Sequence, residues 1–575
     1  MRIRPYFLLG LFSFLLACRS SSPEAVTEYR DIYGIQKQAK ASKAMVVTAH
    51  PLASRIGMEI IRKGGNAIDA AIAVQYALAV TYPVAGNIGG GGFMMIRMND
   101  GRTAALDFRE KAPLAAHRDM YLDSLGKVVP GLSINGHLAA GVPGTVDGLF
   151  KAFERFSQLK DHQQLIAPAI QLAKEGFAIT PQEAERLNDF KSKFIANNTS
   201  KPIFVKDTPW MAGDLLRQKD LAQTLQQIHD QGEKGFYEGP VADQIVAEMK
   251  AGGGIISHQD LKEYEAQWRS PVEGQYKGYT IISMPPPSSG GIALLQLLKL
   301  VEPYPLSEWG FQSPRSVHLM CEAERRVYAD RAQHLGDSDF HPVPQTALLN
   351  EAYLRQRMDN FDPKAATDSE LILAGNFAPD SESEETTHFS IVDAQGNAVS
   401  VTTTINSGYG SKTVVSGAGF LLNNEMDDFS AKPGVPNFYG LVGNEANAIE
   451  PGKRMLSSMT PSIVLKDNEL FMVVGTPGGS TIITSVFQVI LNVVAFGMNI
   501  NEAVNARRFH HQWRPDAIQY EKTTFKTEQL DALRELGHEL KERGSIGRVD
   551  AILRQADGQL TGAADPRGDD HAEGW

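Results

Sequence analysis

Apolar positions along this chain change texture several times, and each texture predicts a different element. Residues 6–17 (YFLLGLFSFLLA) form one short apolar run behind Arg2 and Arg4. A membrane-spanning helix needs about 20 apolar residues, so this run reads as a signal-peptide core. Residues 52–82 place Ala67, Ala70, Ala71, Val74 and Leu78 on one helical face, which predicts a buried helix made of small side chains. The glycines from Gly86 to Gly92 run into an apolar strand at 94–98. They lack the lysine of a phosphate loop and lead into a strand, not a helix, so close backbone packing explains them better. Residues 145–250 read as mostly helical with polar faces, and 283–291 as a rigid turn before a helix at 292–301. The charge-rich stretch 316–335 reads as a long helix with a solvated face.

From residue 386 the pattern alternates. Residues 386–406 predict two strands around a turn at 393–397, the signature of a hairpin. A strand at 470–474 meets Gly475-Thr476-Pro477-Gly478-Gly479-Ser480 and then a very apolar helix near 481–497. Gln488 and Asn492 interrupt that helix, which makes it a core helix and not a membrane span. Strands and helices mix without a βαβ repeat, so the expected class is a layered α+β fold.

The chain has 575 residues, 42% hydrophobic and 21% charged, with a formal net charge of −11. This excludes a disordered chain, a collagen and a polytopic membrane protein. It also argues against nucleic acid as a partner. Two cysteines cannot build a disulfide framework or a cysteine-based zinc site. One of them closes Leu15-Leu16-Ala17-Cys18, which looks like a bacterial lipobox. Residues 1–17 are then a lipoprotein-type signal, Cys18 carries the lipid, and 18–28 are a polar tether. The expectation is an exported lipoprotein on the periplasmic face of a bacterial membrane, the outer membrane in preference because Arg19 replaces the aspartate associated with inner-membrane retention. Cys321 reads as a packing residue.

Familiar chemical motifs are absent: no His-Glu-x-x-His, no Cys-x-x-Cys, no calcium loop and no Gly-x-Ser-x-Gly elbow. What remains is the strand–Gly478-Gly479–helix turn. Backbone N–H groups at a helix start are unpaired and lie at its positive end, so this turn can hold an oxyanion or serve simply as a tight connection. The residues alone reach no further than an exported α+β protein with an anion-holding turn.

Eight short motifs in order carry more. They are Leu106-Asp107-Phe108-Arg109-Glu110, Gly141-Val142-Pro143-Gly144, Tyr328-Ala329-Asp330-Arg331, Thr386-Thr387-His388-Phe389-Ser390, residues 422–430 (LNNEMDDFS), Leu456-Ser457-Ser458-Met459, Pro477-Gly478-Gly479-Ser480 and Asp565-Pro566-Arg567. Together they resemble the γ-glutamyltransferases (γ-glutamyltranspeptidases). The resemblance implies the N-terminal-nucleophile hydrolase fold, a four-layer αββα sandwich shared by two subunits. It implies self-cleavage between Glu385 and Thr386, giving a large subunit (29–385) and a small catalytic one (386–575). Thr386 would then be nucleophile and chain end at once. A threonine hydroxyl needs a base, and the freed α-amine, with an ordinary pKa of about 7.7–8.0, can supply it.

The other roles follow from the same resemblance. Gly478 and Gly479 donate to the oxyanion, and Thr404 orients the nucleophile. Arg109 grips the α-carboxylate of a glutamyl head with help from Ser457 and Ser458, while Asn406, Glu425 and Asp428 accept from its α-ammonium. Tyr439, in Pro436-Asn437-Phe438-Tyr439-Gly440, matches a lid over the pocket. Position 425 is Glu where bacterial relatives carry Gln. The implied substrates are glutathione and other γ-glutamyl compounds as donors, with water, amino acids or dipeptides as acceptors and no cofactor or metal. A cephalosporin acylase or a poly-γ-glutamate hydrolase uses similar machinery. A lipid-anchored amino-acid-binding protein is the non-catalytic alternative. Arg109 with Asp428 favours a free glutamyl head over the acylase, and a retained Thr386 argues against a binder.

Overall fold

The hairpin expected around Asp393 forms. Strand Thr387–Val392 pairs antiparallel with Ala398–Thr404, Thr387 opposite Thr403 and Val392 opposite Ala398. The Asp393 carboxylate closes the turn by accepting from the Gln395 and Asn397 amides, both at 2.9 Å. It also accepts from Ala67 N at 2.8 Å, which ties the turn to a helix start 326 residues away in sequence. The computed structural model describes residues 32–375, 386–432 and 445–575. The expected signal, Cys18, the tether, Glu385 with its acidic loop, and Tyr439 lie outside the described residues.

Around this hairpin grows a seven-stranded sheet, in the order His571–Gly574, Met45–Thr48, Thr387–Val392, Ala398–Thr404, Gly91–Arg97, Thr103–Asp107 and Gln267–Arg269. A second seven-stranded sheet runs Gln38–Ala41, Leu560–Ala563, Asp550–Arg554, Glu469–Gly475, Ser462–Lys466, Tyr279–Ser283 and Val272–Tyr276. Both sheets contain strands from either side of residue 385. The sheets face each other across a polar seam near the hairpin. Ser390 Oγ donates to Asp550 O at 3.0 Å, and Ser400 Oγ to Val474 O at 3.2 Å. His388 is buried in the same seam between Thr402 and Ser390, and burial pushes its imidazole pKa down to about 3, so the ring is neutral.

Helices cover both outer faces, which completes the αββα layering. Pro51–Arg62 and Ala67–Thr81 pack on the first sheet, and Gly290–Val301 and Thr481–Val494 on the second. Ala67–Thr81 is buried along its whole length, as its small residues predict, and starts in a capping box of Asn66 and Asp69. Thr481–Val494 is a core helix. Among the described residues no helix is long and apolar enough to cross a membrane.

One expectation is overturned. Helix Pro314–His334 does not present a solvated face. It is buried between Gly290–Val301 and the chain's C-terminal third, with Arg325, Arg326 and Arg331 all nearly inaccessible. Its three buried arginines keep their charge because each is partnered: Arg326 Nη1 with Glu322 at 2.6 Å, Arg325 with Glu322 and Asp516, and Arg331 with the hydroxyls of Ser289 and Ser458. Cys321 is buried in this helix, and desolvation raises its thiol pKa well above the ordinary value.

The glycine run is a packing device, as expected. A Cβ on Gly90 would sit 2.0 Å from Thr404 O, inside the ladder that joins Gly91–Arg97 to the hairpin. Gly90→Ala should therefore force the two strands apart and cost about 1–3 kcal/mol. Urea unfolding of the variant checks this; a midpoint equal to that of the unsubstituted protein would refute it.

Candidate active site

The chain enters the first sheet at Thr386, one residue before strand Thr387–Val392. Thr386 is 8% exposed, and its Oγ1 has no hydrogen-bond partner among the described residues. A buried hydroxyl with nothing to bond is costly unless a substrate or the catalytic cycle uses it. It lines a cavity of about 590 Å³ together with Asn406, Ser407 and Gly478.

Gly478 and Gly479 hold positive φ values, 137° and 68°, which turn strand Glu469–Gly475 abruptly into helix Thr481–Val494. Neither backbone N–H finds an acceptor among the described residues. A Cβ on Gly478 would lie 2.6 Å from Thr481 Oγ1, so a side chain there is excluded. Free N–H groups at the positive end of a 14-residue helix, on the wall shared with Thr386, suit a developing oxyanion.

Thr404 ends the second hairpin strand. Its Oγ1 accepts from Asn406 N at 2.7 Å and thereby fixes the left-handed turn at Asn406, φ 66°. Asn406 Nδ2 donates to Asn424 O at 2.9 Å, while its Oδ1 is buried without a donor. Asn424 leads directly into the short 3₁₀ turn Glu425–Asp428. One strand end therefore connects the cavity to the acidic turn.

That turn meets Arg109. The guanidinium is 1% exposed; its Nη1 lies 3.0 Å from Glu425 Oε1 and 3.6 Å from Glu110 Oε2, and its Nη2 bonds Asp428. Arg109 Nε and Nη2 also donate to the Met455 and Leu456 carbonyls at 3.2 and 3.1 Å. Burial works against the arginine charge, but Glu425, Asp428 and Glu110 outweigh it and hold the guanidinium pKa above its ordinary value. For Glu110 and Glu425 burial raises the carboxyl pKa, by more at Glu110, where Glu425 adds like-charge repulsion and the arginine opposes it.

The serines behave differently from each other. Ser457 Oγ accepts from Met459 N at 3.1 Å, leaving its hydroxyl proton without an acceptor among the described residues. Ser458 Oγ accepts from Arg331 and so ties to the buried helix. Thr386, Asn406 and Gly478 share the cavity wall; Arg109, Glu425 and Asp428 form an adjoining buried cluster that does not line it. Among the described residues no group of three or more His, Cys, Asp or Glu is placed to hold a metal ion.

Sequence reasoning missed five contributors. Asn423 accepts from Gly141 N at 2.8 Å and Glu425 N at 3.0 Å and donates to the Gly89 and Gly141 carbonyls, clamping three loops at once. Glu110 sits inside a recognised motif but had no role. Tyr82, Arg186 and Arg548 line the cavity from distant segments and carry no local motif that would have flagged them.

Comparison with known proteins agrees with this geometry. Residues 53–575 match the family described as Gamma-glutamyltranspeptidase. A glutathione hydrolase proenzyme of Escherichia coli is 46% identical over 550 residues, 94% of each chain. Among solved structures, a cephalosporin acylase from Bacillus halodurans superposes with a TM-score of 0.83 at 26% identity, covering 94% of this chain and 97% of the other. The Helicobacter pylori gamma-glutamyltranspeptidase matches 57% of this chain and 94% of its own with a TM-score of 0.56 at 49% identity. With the two-sheet sandwich these relatives share, and with the family description spanning the chain from residue 53 to its last residue, this protein belongs to the gamma-glutamyltranspeptidase family.

Proposed function

We propose that this protein is a glutathione hydrolase and γ-glutamyltransferase, made as a precursor and activated by cleavage between Glu385 and Thr386. The observation that carries the reading is the unpartnered Thr386 Oγ1 on one wall with the unpaired Gly478 N–H. The freed Thr386 amine takes the hydroxyl proton, and Oγ1 attacks the γ-carbonyl carbon. The resulting oxyanion is held by the Gly478 and Gly479 amides. The C–N bond then breaks, the amine returns the proton to the departing nitrogen, and a glutamyl ester remains on Thr386. Water, or an amino acid or dipeptide amine, repeats the sequence in reverse and frees the threonine.

Donor selection falls to the Arg109 cluster. A glutamyl head brings one carboxylate and one ammonium. The carboxylate takes over the guanidinium in a two-point grip, supported by the free Ser457 proton, and the ammonium replaces it beside Asp428, Glu425 and Asn406 Oδ1. An acyl group lacking these charges would leave the ions unmatched, which favours this reading over an acylase despite the similar fold. The sequence of the leader and Cys18 supports a lipid-anchored enzyme on the periplasmic face, with the outer membrane as the preferred site. Tyr439 is proposed as a gate over the cavity.

Three outcomes test the scheme. Thr386→Ala should remain one uncut band on a denaturing gel and lose at least about 10³-fold in kcat on a γ-glutamyl anilide; a processed, active variant would remove Thr386 from its role. Arg109→Gln should still be cut but raise the donor KM by about 30-fold or more, because one partner of a buried charge cluster is removed. Arg109→Lys should recover only part of this, and an unchanged KM would sink the assignment. Glu425 protonates at a pH above the ordinary carboxylate value, so its attraction for the substrate ammonium fades as pH falls through that raised pKa. The donor KM should thus rise on the acid side for the natural protein and flatten for Glu425→Gln; parallel profiles would contradict it.

A further inference from the structure

The cavity that Thr386 lines carries charged side chains of one sign. Its described lining includes Arg186, Lys193, Lys412, Arg548 and Arg567 and no aspartate or glutamate. Most of these cations are engaged. Arg567 pairs with Glu521 and Asp565, Arg548 with Asp570, and Lys412 Nζ donates to Ser407 Oγ and Gly410 O, both at 2.6 Å. Arg186 is different. It is partly buried, and no carboxylate lies within ion-pair distance of it among the described residues. Its one hydrogen bond runs from Nη1 to Tyr82 Oη at a long 3.4 Å. Glu183, one turn earlier on the same helix, bonds the Tyr409 hydroxyl at 2.7 Å instead.

Tyr82 adds an independent sign. It is 7% exposed and lines the cavity. Its oxygen accepts from Arg186 and Arg548, whose guanidiniums lie 5.8 and 4.9 Å from its ring centre. With both approaches taken by donors, its own O–H proton has no acceptor among the described residues. A buried O–H and a guanidinium without an ion-pair partner among the described residues, lining one cavity, form a donor fork suited to an anion.

We propose that Arg186 and Tyr82 form a carboxylate subsite on the amine side of the scissile bond. It takes the C-terminal carboxylate of the departing peptide during hydrolysis and that of an amino-acid or peptide acceptor during transfer. Arg186 donates from its free N–H groups and Tyr82 from its hydroxyl, while Arg548 holds the tyrosine oxygen in place. This assignment rests on the γ-glutamyl reading above, which places the glutamyl head at the Arg109 cluster and leaves this wall for the other half of the substrate.

The test compares two donors that share the glutamyl head. Glutathione has a leaving group ending in a carboxylate; γ-glutamyl-p-nitroanilide does not. In Arg186→Gln, processed and purified alongside the natural enzyme, kcat/KM for glutathione should fall about ten-fold or more relative to that for the anilide, mainly through KM. Arg186→Lys should restore part of the ratio. A ratio within two-fold of the natural enzyme's would overturn the proposal. Should both variants fail to mature, the natural enzyme decides: as acceptor, glycylglycine should have a KM about ten-fold below that of glycylglycinamide, and equal values would overturn the subsite. A natural enzyme that turns over neither donor would instead refute the γ-glutamyl reading itself, so the two failures are distinct.

Discussion

A guanidinium cannot be buried without company, and Arg109 is buried almost completely. Its company comes from Glu110 beside it and from two distant stretches, the Glu425–Asp428 turn and the carbonyls of Met455 and Leu456. One charge therefore fixes the relative placement of three loops that the sheets alone would leave independent. The excess of carboxylates over guanidinium is relieved by raised carboxyl pKa values at Glu110 and Glu425. A cluster with more negative than positive groups is unfinished, and a ligand carrying an ammonium completes it.

The chemistry and the charge recognition are built at different levels. Thr386 and the glycine turn depend on backbone: a strand start, a helix start and two residues with positive φ. The Arg109 cluster, proposed above for donor recognition, depends on side chains held by other side chains, with Asn423 and Asn406 as the connecting pieces. The strand end at Thr404 joins the two, since its hydroxyl sets the Asn406 turn while its ladder neighbours hold the strand that follows Thr386. A disturbance in either part reaches the other through a few hydrogen bonds.

Much of the architecture was legible where the local pattern and the tertiary demand agree. The alternation after residue 386, the Asp393 turn and the all-small helix at Ala67–Thr81 are examples. Helix Pro314–His334 was misread because charge density signals solvent only when charges lack partners nearby, and its partners Asp516, Ser289 and Ser458 are far off in sequence. Thr386 illustrates the opposite limit. A threonine opening a strand is unremarkable to propensity, and only the resemblance singled it out. Arg186 and Tyr82 carry no pattern at all, because an unpaired cation is a property of what surrounds it in space.

The sharing of both sheets by strands from either side of residue 385 bears on the life of the processed protein. Met45–Thr48 lies between two strands of the C-terminal part, and the four C-terminal strands of the second sheet, Leu560–Ala563 to Ser462–Lys466, are flanked by Gln38–Ala41 and Tyr279–Ser283 of the N-terminal part. Neither fragment retains an intact sheet without the other, so separation and unfolding are the same event. Before scission the chain can recover from denaturation by a first-order search. Afterwards recovery needs two molecules to meet, and it slows with dilution. Maturation thus makes the assembly history irreversible at high dilution, and the processed protein's survival depends on how slowly the sandwich opens rather than on how readily it re-forms.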